Sequence, residues 1–361
     1  MTLEATPPTT LSRSPRRRNS TRPLGVRALT VLVGCLAAVS AFVTAPTASA
    51  TGTDAESSDQ YVFPDAQADD GAHITAVKRL DTRMADLTVA SPAMGGEVPV
   101  RVILPRGWSA DSTRTFPTLY LLQGASDDYT SWTRETDVEE LAQDADMLIV
   151  TPEGGRAGFY TNWWNYGRAG GPNWETFHTV ELPQILERGY RAGNRRALAG
   201  LSEGGLGALN YAGRHPGEYV FAGSFSGVVD ILDGALRSGI NLTCMREKVD
   251  AMKLWGDPFR QRDLWDDHNP AAHVERLRGV KVYLSAAAGL PGPFDAGQDI
   301  FAGFLESPVY VPTRDFYQRL RAAGIDVTAD LNPSGSHAWP YWQRQLHLAW
   351  PSVLSALQVT A

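Results

Sequence analysis

Cysteine is almost absent: the 361 residues contain two, Cys35 and Cys244. Cys35 falls in an N-terminal stretch that reads as a removable leader, so the remaining chain is expected to hold one thiol. One thiol excludes an internal disulfide, and the paired cysteine spacings of structural zinc sites are missing. Cys244 is expected to serve as a small buried apolar residue. Basic charge is also scarce. Residues 51–361 carry 27 Lys and Arg against 39 Asp and Glu, a net charge of −12. That balance argues against nucleic acid as a partner, because such binding rests on cations that meet phosphates. Long apolar runs are lacking too. The longest, ALTVLVGCLAAVSAFV (28–43), falls short of the ~20 apolar residues a membrane span requires. No linker after residue 75 divides the chain, and no internal repeat shows, so one large core is expected.

The first fifty residues have the parts of a secretory signal. Arg16, Arg17 and Arg18 form a basic segment, the apolar run follows, and Ala48 and Ala50 offer a small-residue cleavage site. Residues 1–50 are therefore read as a signal peptide cut near Ala50, which makes the protein secreted or associated with the cell wall. Residues 51–73 are polar and acidic and are expected to form a disordered arm. The catalytic domain is expected over 74–361.

From there strands and helices alternate. RMADLTVAS (83–91) and EVPVRVILP (97–105) show strand alternation, and FPTLYLLQG (116–124) and MLIVTPEGG (147–155) read as buried strands with glycine exits. RRALAG (195–200), FAGSFSG (221–227), VKVYLSAAAG (280–289) and IDVTADLNP (325–333) add four more. Helical spacing is seen over 135–145, 174–190, 203–216, 313–324 and 341–357, with Pro183 an expected irregular point. Near-continuous apolar strands between helices imply an α/β fold, a mostly parallel central sheet covered by helices on both faces. Chemistry then gathers in the loops at the carboxyl ends of the strands.

One of those loops carries Gly200-Leu201-Ser202-Glu203-Gly204, the pattern Gly-x-Ser-x-Gly between an apolar strand and a helix. In that context the glycines permit a sharp turn that presents Ser202 as a nucleophile; a merely flexible junction is the competing reading. A serine hydroxyl needs a base, and the base needs an orienting carboxylate, in the chain order Ser, acid, His. Residues 51–361 hold seven histidines. His73 and His178 precede the serine, and His215 ends its helix. His268 and His273 lie in a charged segment where surface exposure fits better than a metal pair, and His347 lies within the last helix. His337, in the loop between the last strand and the last helix, is the expected base. The acid follows VKVYLSAAAG, which leaves Asp295, Asp299 and Glu306; the apolar neighbours of Glu306 mildly favour it. Two backbone amides are needed for the oxyanion, and Glu203 and Ala125 are placed to supply them. No metal and no organic cofactor is called for.

At this point the chain resembles the antigen 85 mycolyltransferases, within the esterase D-like α/β-hydrolases. The resemblance runs from about Leu87 to Leu354 through YLLQGASDDYTSW, WETFHTVELPQ, GLSEGG, FAGSFSGVVD, MKLWGDP, HNPAAH, FLES and SHAWPYW. It implies an α/β-hydrolase fold and a triad of Ser202, Glu306 and His337, with the backbones of Ala125 and Glu203 as oxyanion donors. It implies acyl transfer through an acyl-serine from an acylated sugar or lipid ester to a sugar acceptor such as trehalose, with no obligate protein partner. Gln123, Tyr129, Trp132 and Trp339 would belong to the substrate surroundings. Two departures bear on the acceptor: Gln123 stands where the family has aspartate, and an arginine after the oxyanion residue is lacking; Glu203 also replaces an apolar residue beside the serine. Those changes make water the alternative acceptor and a secreted carboxylesterase the alternative activity.

Overall fold

The structure, a computed structural model, describes residues 65–295 and 300–359. The expected signal peptide, its cleavage point near Ala50, most of the acidic arm and Asp299 lie outside the described residues. The end of that arm is not disordered: Ala66, Ala68 and Ala72 are buried in the main core, and Gln67 bridges His73. Three alanines fit against the sheet where larger polar side chains would not, so order begins ahead of Ile74.

Among the described residues, nine strands form one sheet: β1 (His73–Arg79), β2 (Met84–Ser91), β3 (Gly96–Ile103), β4 (Phe116–Leu122), β5 (Leu148–Pro152), β6 (Ala192–Leu201), β7 (Tyr219–Phe225), β8 (Lys281–Leu290) and β9 (Val327–Ser334). Their spatial order is β1-β2-β3-β5-β4-β6-β7-β8-β9. The first three strands and the β3–β5 pair are antiparallel, and every pair from β5 through β9 is parallel. The sequence patterns follow from this placement. β2 alternates between buried and half-buried residues, whereas all five residues of β5 are buried. A strand projects successive side chains to opposite faces. In β4, Tyr120 and Leu122 therefore join a core with Val150, Phe177, Tyr211 and Phe316, while Leu119 and Leu121 join Trp132, Phe225, Trp342 and Val353 on the other face.

Three of the expected helices differ from the sequence reading, and the helix Gly234–Arg246 was not expected. The one expected over 135–145 is two short turns, Ser131–Glu135 and Val138–Leu141. Thr136 between them is extended, and its hydroxyl donates to the Trp132 carbonyl, a local bond that competes with the helix. The 174–190 segment stays helical but passes through a π-helical turn, Phe177–Glu181, just before Pro183. Pro183 has no N–H to continue the regular ladder. The helix expected over 313–324 is Ile300–Ala322, which runs through Pro308 and Pro312. Val309, Phe316 and Leu320 anchor its inner face, and that burial outweighs two missing helix hydrogen bonds.

Candidate active site

Ser202 sits between β6 and the helix Glu203–Arg214, at φ 52° and ψ −116°. A non-glycine residue at positive φ is strained and needs a surrounding structure that fixes it. Here the fixing comes from close backbone approach. A Cβ on Gly204 would lie 2.4 Å from the carbonyl oxygens of Leu122 and Gln123, and one on Gly200 would lie 2.3 Å from the Gly204 carbonyl oxygen. These glycines are required by contact between β4, β6 and the helix, which answers the reading of a flexible junction. The Ser202 N–H donates to the Phe225 carbonyl at 2.9 Å, tying the turn to the end of β7.

The next residue along that edge, Ser226, leads to Glu306. Its hydroxyl donates to Glu306 Oε1 at 2.8 Å and accepts the indole N–H of Trp342 at 3.2 Å. The Ala287 N–H donates to the same Oε1 at 2.7 Å. Glu306, 1% exposed, thus keeps Oε2 for Nδ1 of His337, 2.7 Å away. Trp342 stands edge-on to the imidazole, with centroids 4.9 Å apart and planes at 90°. The carboxylate and the tryptophan together fix the ring and its tautomer. Among the described residues the Ser202 hydroxyl makes no hydrogen bond; it shares the carboxyl edge with the Glu306–His337 pair through Phe225 and Ser226. A cavity of about 150 Å³ lies behind Glu306, lined by Ser285, Asn332 and Tyr341 among others. Neither Ser202 nor His337 lines it, so it is not the place where an ester meets the serine.

The loop after β4 lies against Ser202: a Cβ on Gly124 would be 3.5 Å from that of Ser202. Among the described residues, the amides of Ala125 and Glu203 donate to no other backbone carbonyl. The loop is held from behind. Tyr160 donates its hydroxyl to the Gln123 carbonyl at 2.9 Å, and the Ser126 N–H donates to the Arg156 carbonyl at 2.8 Å. Glu153 accepts the N–H groups of Tyr129 and Gly155, and burial raises its carboxyl above the usual range.

The four expected substrate contacts divide. Gln123 is buried, and its amide N–H₂ reaches the Asp127 carbonyl at 2.8 Å and Glu153 at 3.3 Å, so it braces the loop instead of facing an acceptor. Trp132 is fully buried, donates to the Leu122 carbonyl at 3.0 Å and packs edge-on to Phe225 and Trp339. The resemblance implies substrate surroundings for Trp132, but the structure puts it in the core, because exposure is decided by the packing of distant strands. Tyr129 is half-buried, with its hydroxyl on Asp86 at 3.3 Å and its ring beside Arg101. Trp339 is half-buried between Trp132 and Trp342.

The other candidates are occupied elsewhere. Asp295 accepts from Ser336, from Gly292 N–H and from Tyr341, closing its own loop. His347 pairs with Asp137, and His215 with Glu175 at 2.9 Å. His178 is buried between Tyr211 and the Glu153 carbonyl, with its pKa pushed down to about 4. Among the described residues no cluster suits a metal, and no helix is long and apolar enough to cross a membrane. Cys244 is buried, and burial pushes its thiol up to about 12. Sequence reading missed Ser226 and Ala287. The one signal for Ser226 is its position just past a strand at the sheet's carboxyl edge.

Known proteins share this architecture. A family described as "putative esterase" matches residues 91–352. The diacylglycerol acyltransferase/mycolyltransferase Ag85B of Mycobacterium intracellulare is 32% identical over 288 residues, covering 75% of this chain and 82% of that protein. Ag85A of Mycobacterium tuberculosis, of the same description, is 31% identical over 290 residues, covering 76% and 81%. Among solved structures, MPT51 of Mycobacterium tuberculosis aligns with a TM-score of 0.62 at 26% identity, over 75% of this chain and 97% of that one.

Proposed function

The chain belongs to the esterase family that includes the antigen 85 mycolyltransferases, and from that premise we propose a secreted serine acyltransferase that works through an acyl-Ser202 intermediate. Acyltransferase or esterase chemistry on an ester substrate is the activity of this family; the triad, the sugar acceptor and export are the proposal. The observation that carries it is the strained Ser202 turn on the same sheet edge as the Glu306–His337 hydrogen bond.

In this reading His337 Nε2 takes the Ser202 proton as Oγ attacks the ester carbonyl carbon. The carbonyl oxygen becomes an oxyanion that accepts from the Ala125 and Glu203 amides. Glu306 holds the imidazolium through Nδ1–H. Collapse breaks the ester C–O bond, and the leaving alcohol takes the proton back from Nε2. A sugar hydroxyl, of trehalose or its esters, then gives its proton to Nε2 and attacks the acyl-serine, which restores Ser202. Phe304, 69% exposed, and Val311 stand on the outer face of the helix that carries Glu306, and such apolar side chains suit a long acyl chain.

Hydrolysis is the second reading, and the inward turn of Gln123 favours it, since that side chain is withdrawn from any acceptor. Purified protein incubated with an acylated trehalose donor, with and without excess free trehalose, separates the two. Diacyl product formed faster than free acid supports transfer, and free acid indifferent to trehalose supports an esterase. A Ser202→Ala variant still labelled by a fluorophosphonate would end both readings.

A further inference from the structure

We propose that the Glu203 side chain acts as a neutral carboxylic acid that positions both oxyanion amides, and that its ionisation shuts the reaction off on the alkaline side. The inference rests on Ser202 as nucleophile. Glu203 is the first residue of the nucleophile helix and 1% exposed. Its Oε1 accepts the Phe159 N–H at 2.7 Å, while its Oε2 is buried without a hydrogen-bond partner among the described residues. An orphaned oxygen is tolerable on a neutral acid and costly on an anion, which has lost its hydration.

Among the described residues, no ion pair gives Glu203 a countercharge. The apolar neighbourhood is built from Ala157, Phe159, Leu206, Ile240, Cys244 and Trp255. Among the described residues, the titratable groups whose charge interacts with the Glu203 carboxyl include Glu153, Glu247, Tyr160 and Cys244. Two are acids that repel a second negative charge, and the Tyr160 and Cys244 protons are held far above neutrality. Arg156 and Arg246 are spent on Glu247. The amides of Phe159 and Gly158 favour the anion, but burial outweighs them, and the carboxyl is pushed up to about 8.

The link to catalysis is geometric. The Glu203 amide is one oxyanion donor, so a charge on its own side chain lies just behind the site where negative charge develops. In a low-dielectric site such a like charge opposes the transition state. The second donor is tied to the same carboxyl through the chain. Phe159 and Tyr160 both hold positive φ, 53° and 51°, and the Tyr160 hydroxyl carries the Gln123 carbonyl two residues before Ala125. Glu203 thus holds Phe159, Phe159 sets Tyr160, and Tyr160 sets the loop that presents Ala125.

The test is the pH profile of kcat/KM from 6 to 10 on a soluble p-nitrophenyl ester, for wild type, Glu203→Gln and Glu203→Met, with fluorophosphonate labelling rates alongside. Wild type is expected to lose more than ~10-fold between pH 7 and 9.5, reversibly, as a single group near 8 ionises. The variants are judged by the shape of their profiles, and both are expected to lack that limb. Gln retains an acceptor for Phe159 N–H, so it guards against a Met variant that fails to fold. An unchanged limb in Glu203→Gln overturns the inference, as does a wild-type profile that is flat to pH 10 or a loss not recovered on return to pH 7. A wild type that neither turns over ester nor takes label removes the Ser202 reading itself, and this inference with it.

Discussion

Replacing Glu306 by glutamine probes the proposed triad without disturbing the shape around it. Ser226 and Ala287 both donate to Oε1, so the amide oxygen of the substituted side chain takes over that role unchanged. The amide nitrogen must then face His337 Nδ1, where Oε2 stood at 2.7 Å. Two donors cannot share a hydrogen bond, so the imidazole proton moves to Nε2. There the ring has no lone pair for the Ser202 proton. Such a tautomer change costs on the order of 10⁴-fold in kcat in the serine protease for which it is worked out. At 1.36 kcal/mol per decade that is about 5.5 kcal/mol of transition-state stabilisation. Hydrolysis of a p-nitrophenyl ester measures it, and a thermal melt checks that the fold is kept. A Glu306→Gln enzyme that is folded and keeps a tenth of its kcat/KM would refute the assignment of the acid. Asp295→Asn is the paired control: its carboxylate holds Gly292, Ser336 and Tyr341, so a loss below ~10-fold is expected, an outcome of loop loosening alone.

Gly204→Ala should destabilise the protein by about 3 kcal/mol or more, because its Cβ meets two backbone carbonyls at 2.4 Å. A thermal midpoint within a degree of wild type would contradict that packing. Trp132→Phe removes the N–H bonded to the Leu122 carbonyl; it should cost about 1–3 kcal/mol of stability and leave the KM for a sugar acceptor unchanged, since the side chain is fully buried. A selective rise in that KM would place Trp132 at the substrate after all. His178 is held neutral, with its pKa pushed down to about 4 from 6.5. The unfolded chain then binds the extra proton between those values, so its contribution is complete above pH 6.5 and is lost as pH falls toward 4. The loss is up to about 3 kcal/mol. The stability difference between wild type and His178→Asn, followed by urea unfolding from pH 7 to 4.5, should shrink accordingly; a pH-independent difference would show that the ring is not held neutral by burial.

Sequence alone determined the parallel sheet, because strands covered on both faces have to be apolar throughout, as in LIVTP of β5. It also determined the sharp turn at Ser202, since Gly-x-Ser-x-Gly between strand and helix is a local pattern whose glycines answer local contacts. His337, the proposed base, was legible from its place between the last strand and the last helix. The proposed acid was less determined: spacing left Asp295, Asp299 and Glu306 open, with Glu306 mildly favoured by its apolar neighbours and pointed to by the family resemblance. Asp295 and Glu306 lie eleven residues apart in one connection, and both find partners. Only the tertiary structure decides which meets the imidazole, because the choice depends on how the helix Ile300–Ala322, carried through two prolines, packs on β8 and turns Glu306 toward Ser226. The aromatic residues divide on the same ground. Trp132 and Trp339 are alike in sequence, but exposure is set by which strands and helices close over a side chain. The neutral state of Glu203 belongs to the fold as well: a carboxyl keeps its proton when burial and acidic neighbours from distant segments, Glu153 and Glu247, outweigh the amides that would hold it ionised.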